Sequence, residues 1–447
     1  MALSISQKAG WGLADMGIVV FVIIKQLLIL SFLTNYLGVP IALAGMVTTS
    51  ILVFDIFTDP LVGWLSDRTN TRWGRRAPWI VIGALIMVAG IIGLFAAPLG
   101  ISPIAAAVWV GAFFLVATIG FTMVAIPYSA TAGEMTESPS ERSVMMAWRM
   151  GFASIGILIG GALIPVLAGD SREGFFSAAL IVSPLILGSI WLSVFVTRHA
   201  PRVQTPSSLA PFDMVRLVIR NKSFVVLTIL YGVMTLAVAL ITAGLPFAAI
   251  YLILDDGATA LSGITAGLGT LATMFAAFVV GSILSQAVWV WASKLLGKVI
   301  ALAFGLMFYV LLLYALYLAL TSVNVTAIAG MFVLAGAANG SYQQIPWAMY
   351  PDLMDVTRLQ SGEAIEGAFS GIWLFGQKVA NAFAPLLLSI FLASYGWRET
   401  TEGRVEQLPE AITALLKSIT LVPGAILVVA VFALILIYKP MAAKALR

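Results

Sequence analysis

The chain has 447 residues, 61% of them hydrophobic and only 10% charged, with a mean hydropathy of +1.04 and a formal net charge of +4. Soluble domains carry about 25% charged residues, so this composition belongs to a protein embedded in lipid. The absence of cysteine excludes disulfides and thiolate metal sites, and the single histidine, His199 in a polar connection, leaves no material for a histidine-based metal centre.

A membrane-crossing helix needs roughly 17–25 apolar residues. Twelve such runs are predicted, at 10–36, 41–66, 78–99, 103–132, 143–167, 175–197, 223–253, 258–287, 297–320, 323–350, 365–394 and 411–438. None shows the short alternating segments of a membrane β-barrel, so an all-α membrane protein is expected. The first run is too long for a signal-peptide core and reads as a span that stays in place.

Span one carries Asp15, in the small-residue setting GLADMG, and Lys25 ten residues later. Asp15 can accept two hydroxyl groups of a polyol at once, or serve as an interface acid. Lys25 lies too deep to reach the headgroups; it either neutralises an anionic solute or counters Asp59.

Span two carries Asp55 and Asp59, four residues apart. That spacing puts both on one helix face, about 6 Å apart along the axis. Both cannot stay ionised and uncompensated in a low dielectric, so one holds a proton or a small cation sits between them. Thr58 and, from span four, Thr122 are further oxygens for a hard ion such as sodium. The alternative is that Arg149 of span five and Lys378 of span eleven pair with the two acids and lock the bundle.

A basic loop follows, with Arg68, Arg72, Arg75 and Arg76 inside nine positions. Asp67 closes the span-two helix, where its charge opposes the dipole and needs a cation such as Arg75 or Arg76. Acidic stretches after spans four (Glu134, Glu137, Glu141) and ten (Asp352, Asp355, Glu363, Glu366) offer partners to these arginines. Asp67, Arg75, Arg76, Glu134, Arg142 and Asp352 are therefore the expected elements of a gate on the cytosolic side. Arg149 and Lys378 are candidates for solute hydrogen bonding, and Tyr128, Trp347 and Trp373 for a flat face against a ring. Gly156 and Gly160, four apart on span five, predict a close helix contact.

Seventeen lysines and arginines fall on the side of the termini and four on the other, which places both termini in the cytosol. The longest connection on that side, 198–222, divides the chain into halves at 1–197 and 223–447. Ile126-Pro127-Tyr128 in span four is echoed by Ile345-Pro346-Trp347 in span ten, an offset of 219, and Gly63 by Gly281, an offset of 218. Such offsets predict duplicated halves, an arrangement common in transporters.

Four stretches carry a resemblance to a known family: GLADMG; DIFTDPLVGWLSDRTNTRWGRRAPWI; IPYSATAGEMTESPSERSVMMAWRMGFASIG; and QQIPWAMYPDLMDVTRLQSGEAIEGAFSGIWLFGQK. They run from span one to span eleven and resemble the glycoside-pentoside-hexuronide:cation symporters of the major facilitator superfamily, whose best-known member is the melibiose permease. The resemblance implies a twelve-helix fold of two six-helix halves and cation-coupled symport of a sugar, glycoside or uronide by alternating access. It carries the coupling-cation role to Asp55 and Asp59, sugar binding to Asp15 and Arg149, and the family's span-eleven lysine to Lys378. Asparagine in the melibiose permease is replaced here by Thr58, a span-four acid by Ala125, and a sugar-stacking tryptophan by Ser129, departures that argue against melibiose and leave Na+ or H+ open. A related eukaryotic branch moves lysophospholipids and shares a Pro-Tyr-Ser-Ala segment, which keeps an amphiphile as the alternative solute. A membrane enzyme is disfavoured by short loops without a catalytic cluster, and a transport-dead receptor by the intact acid pair. The expectation is a protein of the bacterial inner membrane with a small-molecule substrate and no cofactor beyond a coupling ion. Neither nucleic acid nor an obligate protein partner is expected.

Overall fold

Backbone amides inside hydrocarbon must be satisfied within their own segment, and the apolar runs of this chain accordingly fold as helices. The computed structural model describes residues 3–136, 138–169, 171–200, 211–322, 324–361 and 366–445. Among them twelve helices are long and apolar enough to cross a membrane. They are α1 (Ile5–Asn35), α2 (Ile41–Arg68), α3 (Ala77–Phe95), α4 (Pro103–Met135), α5 (Val144–Ala168), α6 (Arg172–Thr197), α7 (Lys222–Tyr251), α8 (Thr270–Leu296), α9 (Lys298–Ala319), α10 (Val325–Thr357), α11 (Ala368–Ser394) and α12 (Pro409–Lys444). Glu137, Glu363 and the stretch 201–210 of the central connection lie outside the described residues.

Helix ends depart from the hydropathy limits where polar groups decide them. α1 begins at Ile5, ahead of the predicted 10, because Ser4 and Gln7 form a reciprocal cap. α8 begins at Thr270, twelve residues after the predicted 258. The intervening residues turn around Asp255, which accepts hydrogen bonds from Ser262, Thr265 and the Gly257 amide. A short helix, Ser262–Leu268, then stops at Gly269, whose φ of +82° only glycine adopts cheaply. α4 and α10 each have 33 residues. At about 1.5 Å per residue they reach about 50 Å, beyond a hydrocarbon core of about 30 Å, so their last turns can carry charge.

The chain divides into two compact units, Met1–Thr205 with Trp397–Glu406, and Pro206–Gly396 with Gln407–Arg447. In the first, α1 packs on α5 and α6, α4 on α2 and α3, and α3 on α6. In the second, α7 packs on α11 and α12, α10 on α8 and α9, and α9 on α12. The five pairings repeat with an offset of six helices, which is the physical counterpart of the repeated Ile-Pro-aromatic segments. The connection between α11 and α12 belongs to the first unit. Its Thr400 amide donates to the Thr34 carbonyl (3.1 Å), its Thr400 carbonyl accepts from Gly38 (3.0 Å), and the Asn35 carbonyl accepts from Gly403 (2.8 Å).

The α1–α5 contact is made by missing side chains. A Cβ on Gly12 would stand 2.7 Å from the Arg149 amide nitrogen, and one on Gly156 only 2.4 Å from the Met16 carbonyl oxygen. The Gly156–Gly160 spacing therefore marks a close contact, as the sequence predicts, and it draws Arg149 alongside Asp15. Gly156→Ala should destabilise the protein by about 1–3 kcal/mol through overpacking. Gly151→Ala, on the same helix with nothing within 4 Å of its added Cβ, should be neutral or mildly stabilising. Thermal unfolding in detergent checks the pair; equal midpoints would contradict the packing described.

Candidate functional site

Two polar centres lie inside the first unit, and α1 contributes to both. In the first, Asp55 of α2 is 2% exposed. The Lys25 ammonium stands 3.2 Å from its Oδ2, and the Thr122 hydroxyl of α4 donates to its Oδ1 at 2.8 Å. Lys25 is itself 7% exposed, with its nitrogen 4.1 Å from the centroid of the Phe121 ring and 5.8 Å from that of Phe21. It sits in a π-helical turn, Ile24–Leu28, within α1; single π turns inside α-helices recur at functional positions. Asp59 follows one turn after Asp55 and is half-buried. The Thr58 hydroxyl donates to the carbonyl of Asp55 (3.1 Å) on its own helix. Of the four oxygen-bearing residues expected for a small cation, Asp55, Asp59, Thr58 and Thr122, the structure joins Asp55 to Thr122, and Asp55 also faces an ammonium supplied by the chain.

In the second centre, Asp15 is 3% exposed and takes a two-pronged hydrogen bond from Arg149, Nε to Oδ2 at 3.0 Å and Nη2 to Oδ1 at 3.2 Å. Such fork-to-fork pairs are among the strongest polar contacts. Arg149 therefore neutralises Asp15, and Lys25 serves Asp55. The pairing of Arg149 with the α2 acids, weighed from sequence, is not what holds it. The Arg149 side chain remains 26% exposed, which leaves part of a planar donor fork open to a ligand. Beside it Tyr128 stacks on Trp11 with centroids 4.9 Å apart, and the guanidinium lies 5.6 Å from the Tyr128 ring and 5.9 Å from that of Trp11. Tyr128 is 2% exposed, and its hydroxyl makes no hydrogen bond among the described residues. Trp11 was missed by sequence reasoning; its spacing of four residues before Asp15, one helix turn on the same face, is the signal that could have found it. Its indole donates to Thr131 (2.9 Å), which anchors α1 to α4.

The basic loop forms ties within this unit. Arg76 bonds Asp67 at 2.9 Å and Glu134 at 2.7 Å, and Arg75 also binds Glu134, so one cluster fastens the ends of α2, α3 and α4. Arg142 donates to the Thr136 carbonyl at 3.0 Å. Glu141 pairs with Lys8 at 3.0 Å and accepts from the Leu3 amide at 2.9 Å. In the second unit the equivalent place is taken by Lys298, the first residue of α9, bound to Asp352 of α10 at 2.6 Å. Asp352 thus finds a lysine of its own unit, and not an arginine of the basic loop. Each of these expected gate pairs joins helices of one unit.

The second unit gathers the remaining predicted residues around aromatic rings. Trp373 is fully buried, stacked on Tyr231 with centroids 4.2 Å apart and on Tyr350 at 5.0 Å. Trp347 is 39% exposed and donates its indole N–H to the Tyr231 hydroxyl at 3.0 Å. Trp347 is the exposed face of the group and Trp373 its buried backing. Lys378 lies on α11, about a turn beyond Trp373 and half-buried. Tyr231 and Tyr350 were not singled out from sequence, since tyrosines in apolar helices carry no spacing signal of their own.

Glu141 supplies a pH test. A hydrogen bond from Thr136 (2.6 Å) and the Lys8 pair hold its carboxyl at about 2, down from the ordinary 4.5. A depressed folded-state value stabilises above the unfolded value and is lost as pH falls through the folded one. The thermal midpoint of Glu141→Gln should therefore lie below wild type at about pH 7, and the gap should close between about pH 4.5 and 2. A gap unchanged over that window would remove the tie.

Comparison with known proteins agrees with this architecture. The family described as MFS/sugar transport protein matches residues 10–439. YagG of Escherichia coli (strain K12), named as a glycoside/cation symporter, is 24% identical over 98% of this chain and 92% of its own length. The inner membrane symporter YicJ of the same strain is 26% identical over 94% and 89%. Among solved structures, a bacterial homologue of the human drug peptide transporters PepT1 and PepT2 superposes with a TM-score of 0.70 at 12% identity, covering 98% of each chain, a likeness of fold. The protein is an integral, multi-pass membrane transporter that belongs to the MFS/sugar transport protein family of the major facilitator superfamily.

Proposed function

We propose that this protein is a secondary active transporter that couples downhill entry of a cation, Na+ or H+, to uptake of a sugar, glycoside or uronide by alternating access. The observation that carries the reading is that α1 holds a residue of each polar centre. Asp15 and Lys25 are ten residues apart, about 15 Å along a helix. A shift of α1 that opens one centre is felt at the other, which is the requirement for two ligands to favour the same conformation. Family membership and relatives named as symporters support the class of reaction.

In the first unit, the solute reads the Asp15–Arg149 fork through hydroxyl or carboxylate oxygens; the second unit, taken by itself, offers an exposed aromatic face at Trp347 and a cation at Lys378. Asp55 and Asp59 form the coupling centre, with Thr122 and Thr58 as its hydroxyls. The ties at Asp67, Arg75, Arg76, Glu134 and Arg142, and that at Asp352, brace each bundle so that it moves as a body. The termini and basic loops face the cytosol of a bacterial cell, a reading that the lysine and arginine bias supports.

Purified protein in proteoliposomes tests the proposal with a panel of labelled glycosides and uronides. Counterflow of at least one, abolished for uphill accumulation by Asp59→Ala, is the expected result; normal uphill uptake by that variant would refute the role of Asp59. Asp15→Ala should weaken solute affinity by about 10- to 100-fold, the worth of a charged hydrogen bond, with the thermal midpoint read in parallel to separate binding from folding.

A further inference from the structure

We infer that Lys25 is the resident cation of the acid centre: its ammonium takes the place at Asp55 that an alkali ion would occupy, and so excludes sodium and lithium from coupling. The inference rests on the proposed symport and narrows the identity of its ion.

The geometry is that of a filled site. Oδ2 of Asp55 faces the Lys25 nitrogen at 3.2 Å, and Oδ1 takes the Thr122 hydroxyl hydrogen at 2.8 Å. The ammonium is backed by the Phe121 ring at 4.1 Å and shielded from solvent, at 7% exposure. An aromatic face is a site for a cation, and here it backs the protein's own. The Ile24–Leu28 π turn alters the helical register at this very residue, the local adjustment through which a lysine of α1 meets a carboxylate of α2.

The electrostatic consequence is large. An alkali ion on Asp55 would stand about 4 Å from the ammonium, and the repulsion of two unit charges at that separation corresponds to roughly a thousandfold in affinity at an effective dielectric of about 20, a penalty that attraction to Asp59, one turn further along α2, offsets only in part. Removing the ammonium reverses the sign: Asp55 then stands as a buried carboxylate beside the Thr122 oxygen and one turn from Asp59, the hard-oxygen environment that an alkali ion prefers. Coupling in the wild type falls to the proton.

The test begins with wild type in detergent, titrated with sodium chloride against choline chloride at matched ionic strength, with the thermal midpoint as readout. Wild type should show no sodium-specific stabilisation. Lys25→Met and Lys25→Gln should each gain a saturable, sodium-specific rise, and Asp55→Asn added to Lys25→Met should abolish it. A saturable sodium shift in wild type overturns the inference, and so does a folded Lys25 variant that takes no sodium. Should neither variant fold, the wild-type titration decides. In proteoliposomes, with a glycoside or uronide found by counterflow, an imposed proton gradient should drive uphill uptake and a sodium gradient should not. Uptake driven by sodium overturns this inference and leaves symport standing. Uptake driven by neither gradient overturns symport itself, while the sodium titration still reports on Lys25.

Discussion

A carboxylate within a membrane helix needs a compensating positive charge, and the first unit of this protein meets that need twice with its own side chains. Lys25 stands 3.2 Å from Asp55, and Arg149 grips Asp15 by two hydrogen bonds at 3.0 and 3.2 Å. Each pair crosses between helices, α1 to α2 and α1 to α5. The charges of these two polar centres therefore also hold α1 in the bundle. Removing one member of either pair would leave a buried charge behind, so a substitution there acts on stability as well as on the polar centre.

Close packing makes those distances possible. Gly12 and Gly156 allow backbone to pass backbone where α1 crosses α5, and any side chain at either position would push Arg149 away from Asp15. Trp11, one turn before Asp15, presses its ring on Tyr128 and ties its indole to Thr131. At the ends of the helices the demand is different. There Arg76 and Glu134 are buried and only Asp67 is exposed, and the Asp67–Arg76–Glu134 cluster, with each charge answered by another, fastens three helix ends. The second unit repeats the plan with the pair Lys298–Asp352, between the corresponding two helices of the repeat.

The two units differ in what they offer a ligand. The first concentrates charge on α1, α2 and α5. The second concentrates aromatic surface, with Tyr231, Trp347, Tyr350 and Trp373 in mutual contact and one lysine, Lys378, nearby on α11. The duplicated fold supplies a common frame, and the two halves differ in the side chains they place on it.

Much of this was readable along the chain, because the governing forces act locally. Hydrocarbon imposes run length and helical backbone, so twelve spans and an all-α fold follow from hydropathy alone. Helical periodicity puts Asp55 and Asp59 on one face, and the echo of Ile126-Pro127-Tyr128 at Ile345-Pro346-Trp347 announces the repeat. Where polar side chains outweighed hydropathy, as around Asp255 before α8, the predicted boundary moved by a dozen residues. The partner of each buried charge was not readable. Sequence spacing identifies neighbours on one helix, whereas Lys25 and Asp55 are thirty residues apart and meet only because α1 and α2 pack together with a π turn at Ile24–Leu28. Which cation answers which acid is a property of helix packing, and that choice, made in three dimensions, separates a centre awaiting an ion from one that already contains its own.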